Sequence, residues 1–244
     1  MCSACQMSEY TLSPLERHPM ARTRKHEATS REQPATDSRA LILDAAAGLF
    51  STFGYAGTGL RQIADEVGIR PASVYHHFES KERILEEILR TGLTQTLQCT
   101  RGAVEVLPPE ANPRDRVEAA IAGHLRGIHE NLTYTSTNLR FHGQMPPDVG
   151  KRLRPLRENY SDYWRTLLDS ARRHGWLHPD LDVSMLRALI LGGLNRTVVW
   201  FDRGKGPIEP LIRTSILAFS GIWTKERSQN LERKPPTRSR KQRT

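Results

Sequence analysis

Long hydrophobic runs are missing from this chain. No stretch of about 18 apolar residues occurs, so a membrane-spanning helix is not expected. The N-terminus lacks the apolar stretch of a signal peptide, and a cytoplasmic location is the default. Cysteine is scarce: Cys2, Cys5 and Cys99 are the three in 244 residues. An odd, low count argues against a disulfide framework. Cys2 and Cys5 form a C-x-x-C pair, but no second Cys or His pair follows at zinc-finger spacing.

Catalytic signatures are missing as well. The chain has no H-E-x-x-H, no G-x-S-x-G and no glycine-rich phosphate loop. No E-x-x-H pair supports a di-iron bundle. His124 and His129 stand five apart, a poor metal spacing on a helix. An enzyme is not expected, and neither a cofactor nor a metal is implied. No segment alternates like a strand, and no internal repeat occurs.

What is present is basic charge and helical periodicity. The net charge is +9, which suggests a polyanionic partner. It is unevenly spread. Residues 225–244 carry eight basic against two acidic side chains, whereas residues 38–92 carry six against seven. The excess therefore sits in the C-terminal tail, and charge alone does not locate a nucleic-acid site.

Four segments follow from composition and pattern. Residues 1–37 lack helical periodicity and contain Pro14, Pro19 and Pro34, so a disordered tail is expected. Met20, just ahead of Arg22, Arg24 and Lys25, is a second candidate start. Residues 38–90 read as a first helical segment, residues 91–224 as a second, longer one, and residues 225–244 as a basic disordered tail. The expected fold is all-α, with about nine helices.

The pattern within 38–90 is specific. Leu41, Ile42, Ala45, Ala46, Leu49, Phe50 and Phe53 recur at helical spacing, with Asp37 or Ser38 as cap and Gly54 as stop. Next comes "TGLRQIADEVGIRPASVYHHF", two short helices broken near Gly68. A helix-turn-helix needs a small residue where its helices cross, a residue tolerant of positive φ in the turn, and a buried apolar anchor. Ala64, Gly68 and Val74 meet these needs, with Leu60, Ile63 and Val67 beneath. Ser80 then caps a longer helix that ends before Pro108 and Pro109.

The stretch "LILDAAAGLFSTFGYAGTGLRQIADEVGIRPASVYHHFESKERIL" resembles the DNA-binding domain of the tetracycline-repressor (TetR) family. The F-x-x-x-G-Y turn, the I-A-x-x-V-G segment and the Y-H-H-F-x-S-K-E end carry the likeness. "PAS" replaces the commoner K-G-S/T, and Gly59 stands where a threonine is usual, which leaves only its backbone N–H for phosphate. The resemblance implies that residues 38–90 are a three-helix DNA-binding domain and residues 91–224 a helical ligand-binding and dimerisation domain.

Short or flat side chains suit a major groove about 12 Å wide. Ala72, Ser73, Tyr75, His76 and His77 are the candidate groove-facing set. Tyr75 and His77 are favoured as DNA contacts, and His76 is the one more apt to pack against the next helix. Arg70 can reach a base edge or the backbone. Thr58 and Arg61 are expected on phosphate, and Lys81 adds charge where helix N–H groups already favour an anion. Phe78 is expected to pack inward.

For the effector half, the resemblance implies dimerisation through residues 182–201 and 207–223, with an operator of two-fold symmetry. Candidate pocket residues combine apolar bulk with polar tips: Tyr134, Phe141, His142, Met145, Tyr160, Tyr163, Trp164, Leu167, Asn195 and Trp200. Residues 150–177 and 191–207 resemble effector domains that sense acyl-CoA thioesters in lipid or steroid catabolism. Arg152, Arg154, Arg157 and Arg165 would meet the phosphates and adenine of such a ligand. The expected function is a ligand-responsive repressor. The alternatives are an architectural nucleic-acid binder using the basic tail, and a regulator of drug efflux.

Overall fold

The computed structural model describes residues 35–130, 134–135 and 145–224. Helix α1 runs Ala35–Phe53, α2 Leu60–Val67, α3 Pro71–His77 and α4 Lys81–Glu105. Helix α5 runs Pro113–Glu130, α6 Pro147–Arg173, α7 Val183–Trp200 and α8 Glu209–Ala218. Among the described residues the only strand-like feature is an isolated antiparallel bridge between Leu177 and Trp223. The fold is all-α.

Several helix starts follow directly from cap chemistry. Ser80 accepts from the Arg83 N–H at 3.3 Å, and Asp182 accepts from the Met185 N–H at 2.8 Å. At α5, Asn112 Oδ1 accepts from the Asp115 N–H at 3.0 Å, ahead of Pro113 in the first helical position. Helix α1 departs from expectation. It begins at Ala35, inside the segment expected to be a tail, so Ser38 lies in its first turn rather than at the cap.

The C-terminal helix departs too. It stops at Ala218 instead of continuing to Trp223. A 3-10 turn, Ser220–Ile222, follows. Backbone bonds to the segment after α6 replace the helical ones: His178 N–H reaches Ile222 O at 3.0 Å, and Thr224 N–H reaches Trp176 O at 2.9 Å. Trp223 is thereby buried, and residues 222–224 are tied to the segment after α6.

Buried apolar side chains form two clusters. The first gathers Ile42, Ala46, Phe50, Ile63, Val74, Phe78, Ile84 and Ile88 from α1 to α4. The second gathers Ile121, Leu125, Trp164, Leu168, Ile190 and Leu211 from α5 to α8. Helix α4 supplies both, with Leu85 and Leu89 in the first and Leu97 and Val104 in the second. Its far half lies very close to α5. A Cβ on Gly123 would stand 2.5 Å from the Cys99 carbonyl oxygen. Only glycine permits that approach.

Candidate nucleic-acid interface and effector core

The turn between α2 and α3 is set by one residue. Gly68 takes φ 74° and ψ 28°, and its backbone N–H returns to the Ala64 and Asp65 carbonyls. The chain then reverses into α3, which opens on Pro71. Val74 is fully buried and Phe78 nearly so, which fixes how α3 is rolled. Tyr75 is consequently 59% exposed.

Arg61, Arg70, Ala72 and His76 are exposed around Tyr75, while Ser73 and His77 are half-buried. The two histidines thus differ in the opposite sense from expectation: His76 is the freer one. The register of α3 explains it, because His77 lies three residues after buried Val74 and beside buried Phe78. An open groove of about 760 Å³ lies alongside, lined by Gly59, Leu60, Arg61, Pro71, Tyr75 and Lys81 among others. Sequence reasoning does not single out Leu60 or Pro71 as lining residues. Their only sequence signal is position beside the turn.

Two expected phosphate contacts have internal partners. Thr58 is 1% exposed, and its hydroxyl donates to the Gly54 carbonyl at 2.9 Å. Lys81 Nζ donates to the carbonyls of Tyr55 at 2.9 Å and Thr58 at 2.8 Å, and lies over the Tyr55 ring. Lys81 therefore ties the turn after α1 to the start of α4. Tyr55 completes the tie by donating to Glu82 Oε1 at 2.5 Å. Burial and the Glu82 carboxylate push the Tyr55 phenol up, and the same bond holds Glu82 below the usual carboxylate range.

In the effector half a polar chain runs through the core. Thr100 donates to the Thr96 carbonyl at 2.7 Å, so the 3.0 Å contact between Thr100 Oγ1 and Tyr160 uses the tyrosine proton. Tyr160 meets His124 Nδ1 at 2.5 Å, and His124 Nε2 meets Asn195 Oδ1 at 3.1 Å. Desolvation lowers the His124 pKa from about 6.5 to about 4, so the ring is neutral at pH 7. A neutral ring that donates to Tyr160 through Nδ1 needs Asn195 to turn its amide and donate to Nε2.

Trp164 is fully buried beside this chain, and its Nε1, turned toward the Tyr160 hydroxyl, completes no hydrogen bond of normal geometry among the described residues. Further along α5, His129 Nε2 meets Thr197 Oγ1 at 2.9 Å, and its Nδ1 is also without a partner. Tyr160, Trp164 and Asn195 are thus brought together, and His124 and Thr100 join them. The sequence signal for His124 is a histidine among the apolar positions of α5.

Other expected pocket residues are elsewhere. Tyr134 lies in the first cluster, where its hydroxyl donates to Asp44 Oδ1 on α1 at 2.7 Å. Trp200 is 63% exposed at the end of α7. Phe141 and His142 lie outside the described residues. Of the four α6 arginines expected at the ligand, Arg152 binds Glu86, Arg154 binds Glu158 and Arg165 binds Asp162. Arg157 points Nη2 at the Met145 thioether instead. Met145, Tyr163 and Leu167 are half-buried. Among the described residues no cluster of His, Cys, Asp or Glu could hold a metal ion, and no helix is long and apolar enough to cross a membrane.

A short helix held at Gly68, with one aromatic face turned outward and a larger helical body attached, defines a helix-turn-helix DNA-binding protein. Residues 42–88 match the profile of bacterial regulatory proteins of the tetR family, and residues 110–211 match the tetracyclin repressor-like C-terminal domain. The chain belongs to the tetracycline-repressor family.

Over 178 residues it is 29% identical to the HTH-type transcriptional repressor KstR2 of Mycobacterium tuberculosis, covering 70% of this chain and 84% of that protein. It is 24% identical over 160 residues to a fatty acid metabolism regulator protein of Bacillus subtilis, covering 64% and 79%. The solved structure of the ketosteroid transcriptional regulator KstR2 of Mycobacterium tuberculosis superposes with a TM-score of 0.67 at 26% identity, covering 79% of this chain and 98% of that one. These relatives are transcriptional regulators, and they support a ligand-responsive DNA-binding regulator here.

Proposed function

We propose that the protein is a homodimeric repressor that binds a pseudo-palindromic operator and is released by a hydrophobic effector of the acyl-CoA type, from lipid or steroid catabolism. The observation that carries the DNA reading is the roll of α3: Val74 and Phe78 face the core, which leaves Tyr75 outward beside Arg61, Arg70, Ala72 and His76. Ser73 and His77 sit at the margin of that face. Lys81 and Thr58 serve it indirectly, by fixing the turn that α2 follows.

Dimerisation is supported by an apolar stripe on the outside of α7. Met185 is 70% exposed and Leu189 69%, followed further along the helix by Val199 and Trp200. Leu217 on α8 is 64% exposed. Such a face favours a partner of the same kind, and two-fold pairing places two recognition helices about one DNA turn apart.

The effector reading rests on the polar chain of Tyr160, His124 and Asn195 beside Trp164, inside an otherwise apolar core, and on the likeness to regulators named for ketosteroids and fatty acid metabolism. Binding there would shift the spacing of the two recognition helices. The protein would act in the cytoplasm, with no membrane partner.

Selection of genomic fragments by the full chain tests the DNA reading. The expected product is a dyad-symmetric site that Tyr75→Ala no longer retains. Recovery of unrelated sequences, abolished by deleting residues 225–244, would instead mark an architectural binder. Titration of acyl-CoA and steroid-type thioesters into the operator complex tests the effector. Release is expected, and its absence across chain lengths removes the thioester reading.

A further inference from the structure

Helix α6 changes cores partway along its length. Val149 and Leu153 are fully buried in the cluster of the DNA-binding half. Tyr160, Trp164 and Leu168 are buried in the effector cluster. Pro155 stands at the changeover, inside the helix. Proline has no N–H to give to the carbonyl four residues back, here that of Lys151, and its ring crowds that carbonyl. The weakest backbone link of α6 is therefore where its two anchorages meet.

An open groove of about 470 Å³ lies across this joint, lined by Gly150, Lys151, Arg154, Arg157, Glu158 and Ser161. That is the size of a small-molecule site. Three cations face one carboxylate, and Glu158 is already held by Arg154 at 2.7 Å. Among the described residues Lys151 pairs with Asp148 alone, at 3.7 Å, with side-chain exposures of 80% and 79%, an ion pair of little strength. Arg157 is the unusual member. Its Nε is buried without a partner, and its Nη2 meets a thioether sulfur, Met145 Sδ, at 3.0 Å. Thioether sulfur is a weak acceptor, and among the described residues no carboxylate pairs with this guanidinium.

We propose that this groove binds the phosphate groups of a nucleotide-type ligand, and that the ligand clamps α6 across the Pro155 joint. Lys151 supplies a point charge from one side of the proline and Arg157 a planar fork from the other. A phosphate held by both fixes the angle between the two halves of the helix. The setting passes to α4 through Arg152, whose Nε binds buried Glu86 at 2.6 Å. Occupancy thus reaches the helix that carries the DNA-binding core. The proposal rests on the acyl-CoA reading only in taking the phosphates from the nucleotide end of that effector; a free adenosine bisphosphate has the same chemistry.

The test titrates adenosine 3′,5′-bisphosphate and coenzyme A into the full chain by calorimetry at low salt. Both are expected to bind the native protein. Lys151→Gln with Arg157→Gln should weaken both on the order of a hundredfold, about tenfold for each charge-assisted hydrogen bond removed. Arg165→Gln, which removes a charge from the same helix outside the groove, should leave them unchanged. Lys151→Glu alone, at an exposed position, is the second variant and should also abolish binding. Binding by the bisphosphate alone would keep the site and assign it to free nucleotide. Absence of binding to the native chain at millimolar ligand overturns the site, and so does equal weakening by Arg165→Gln. If a thioester releases operator equally from the native and double-variant proteins, the effector's phosphates do not act through the groove, the clamp is wrong and the effector reading stands. If the bisphosphate seats in the groove while no thioester moves the operator, the groove stands and the effector reading falls.

Discussion

The phenol of Tyr134 donates a 2.7 Å hydrogen bond to Asp44, ninety positions earlier on α1. Burial comes first and the carboxylate second in pushing that phenol's pKa up, so it keeps its proton throughout the physiological range. Beneath it, Gly92 of α4 lets the Tyr134 backbone come close: an added Cβ would meet its carbonyl carbon at 3.3 Å. Residue 134 is thus bolted to the first helix of the DNA-binding half. Tyr134→Phe should lower stability by about 1 kcal/mol, discounted because Asp44 is exposed. In a chain of this size that is a fall of roughly 2–4 °C in Tm, which calorimetry can follow. No change in Tm would mean that the bond contributes nothing.

Tyr75 and Lys81 should separate recognition from scaffolding. Tyr75→Ala removes an exposed ring and should leave Tm nearly unchanged while operator affinity falls about tenfold or more. Lys81→Ala also removes two bonds to backbone carbonyls and should lower Tm as well. Parallel melting and gel-shift measurements distinguish the two. An unaltered Tm in Lys81→Ala would contradict its tying role.

Acid should destabilise the effector core before it titrates the carboxylates. His124 has a folded pKa of about 4 against an ordinary 6.5. Between those values the unfolded chain binds more protons, so stability falls as pH drops from 6.5 toward 4 and the loss is complete below that. The full effect is on the order of 3 kcal/mol. His129 adds to it in the same direction, because burial and then Arg203 lower its pKa. His124→Gln should flatten the slope of denaturant stability between about pH 6.5 and 5. A slope unchanged from the native protein would show that His124 is not buried neutral.

Leu189→Glu places a charge in the middle of the exposed stripe on α7. Its side chain has no role in the core, so the monomer should fold. Sedimentation should show the assembly shifted toward monomer, with operator affinity reduced because two half-sites are no longer held together. An unaltered mass would move the dimer interface elsewhere.

The DNA-binding half is legible in the sequence because its determinants are local. Gly68, Ala64, Val74 and Ser80 each act within a few residues, and each takes the geometry its residue type favours. Lys81 and Thr58 mislead for the opposite reason. Their partners, the carbonyls of Tyr55, Thr58 and Gly54, are backbone atoms that no pattern displays. The last helix ends early because Ile222 and Thr224 find backbone partners at His178 and Trp176, in a segment more than forty residues away. In the effector core, Tyr160, Trp164 and Asn195 stand out as polar groups at apolar positions, but Tyr134 carries the same signature and packs against α1 instead. Periodicity shows which face is buried and not which core it is buried in.

Helix α4 threads both clusters without a break for 25 residues, about 37 Å of rod. Its length is therefore a measured quantity in this protein in a way that no loop length is. One residue inserted near Gly92 would advance everything beyond it by about 1.5 Å and turn it by about 100°. Thr96, Thr100 and Cys99 would swing away from Gly127 and Gly123, whose missing side chains leave the room that receives them. The count of residues from Ser80 to Glu105 acts as a gauge block that fixes the phase of one core against the other.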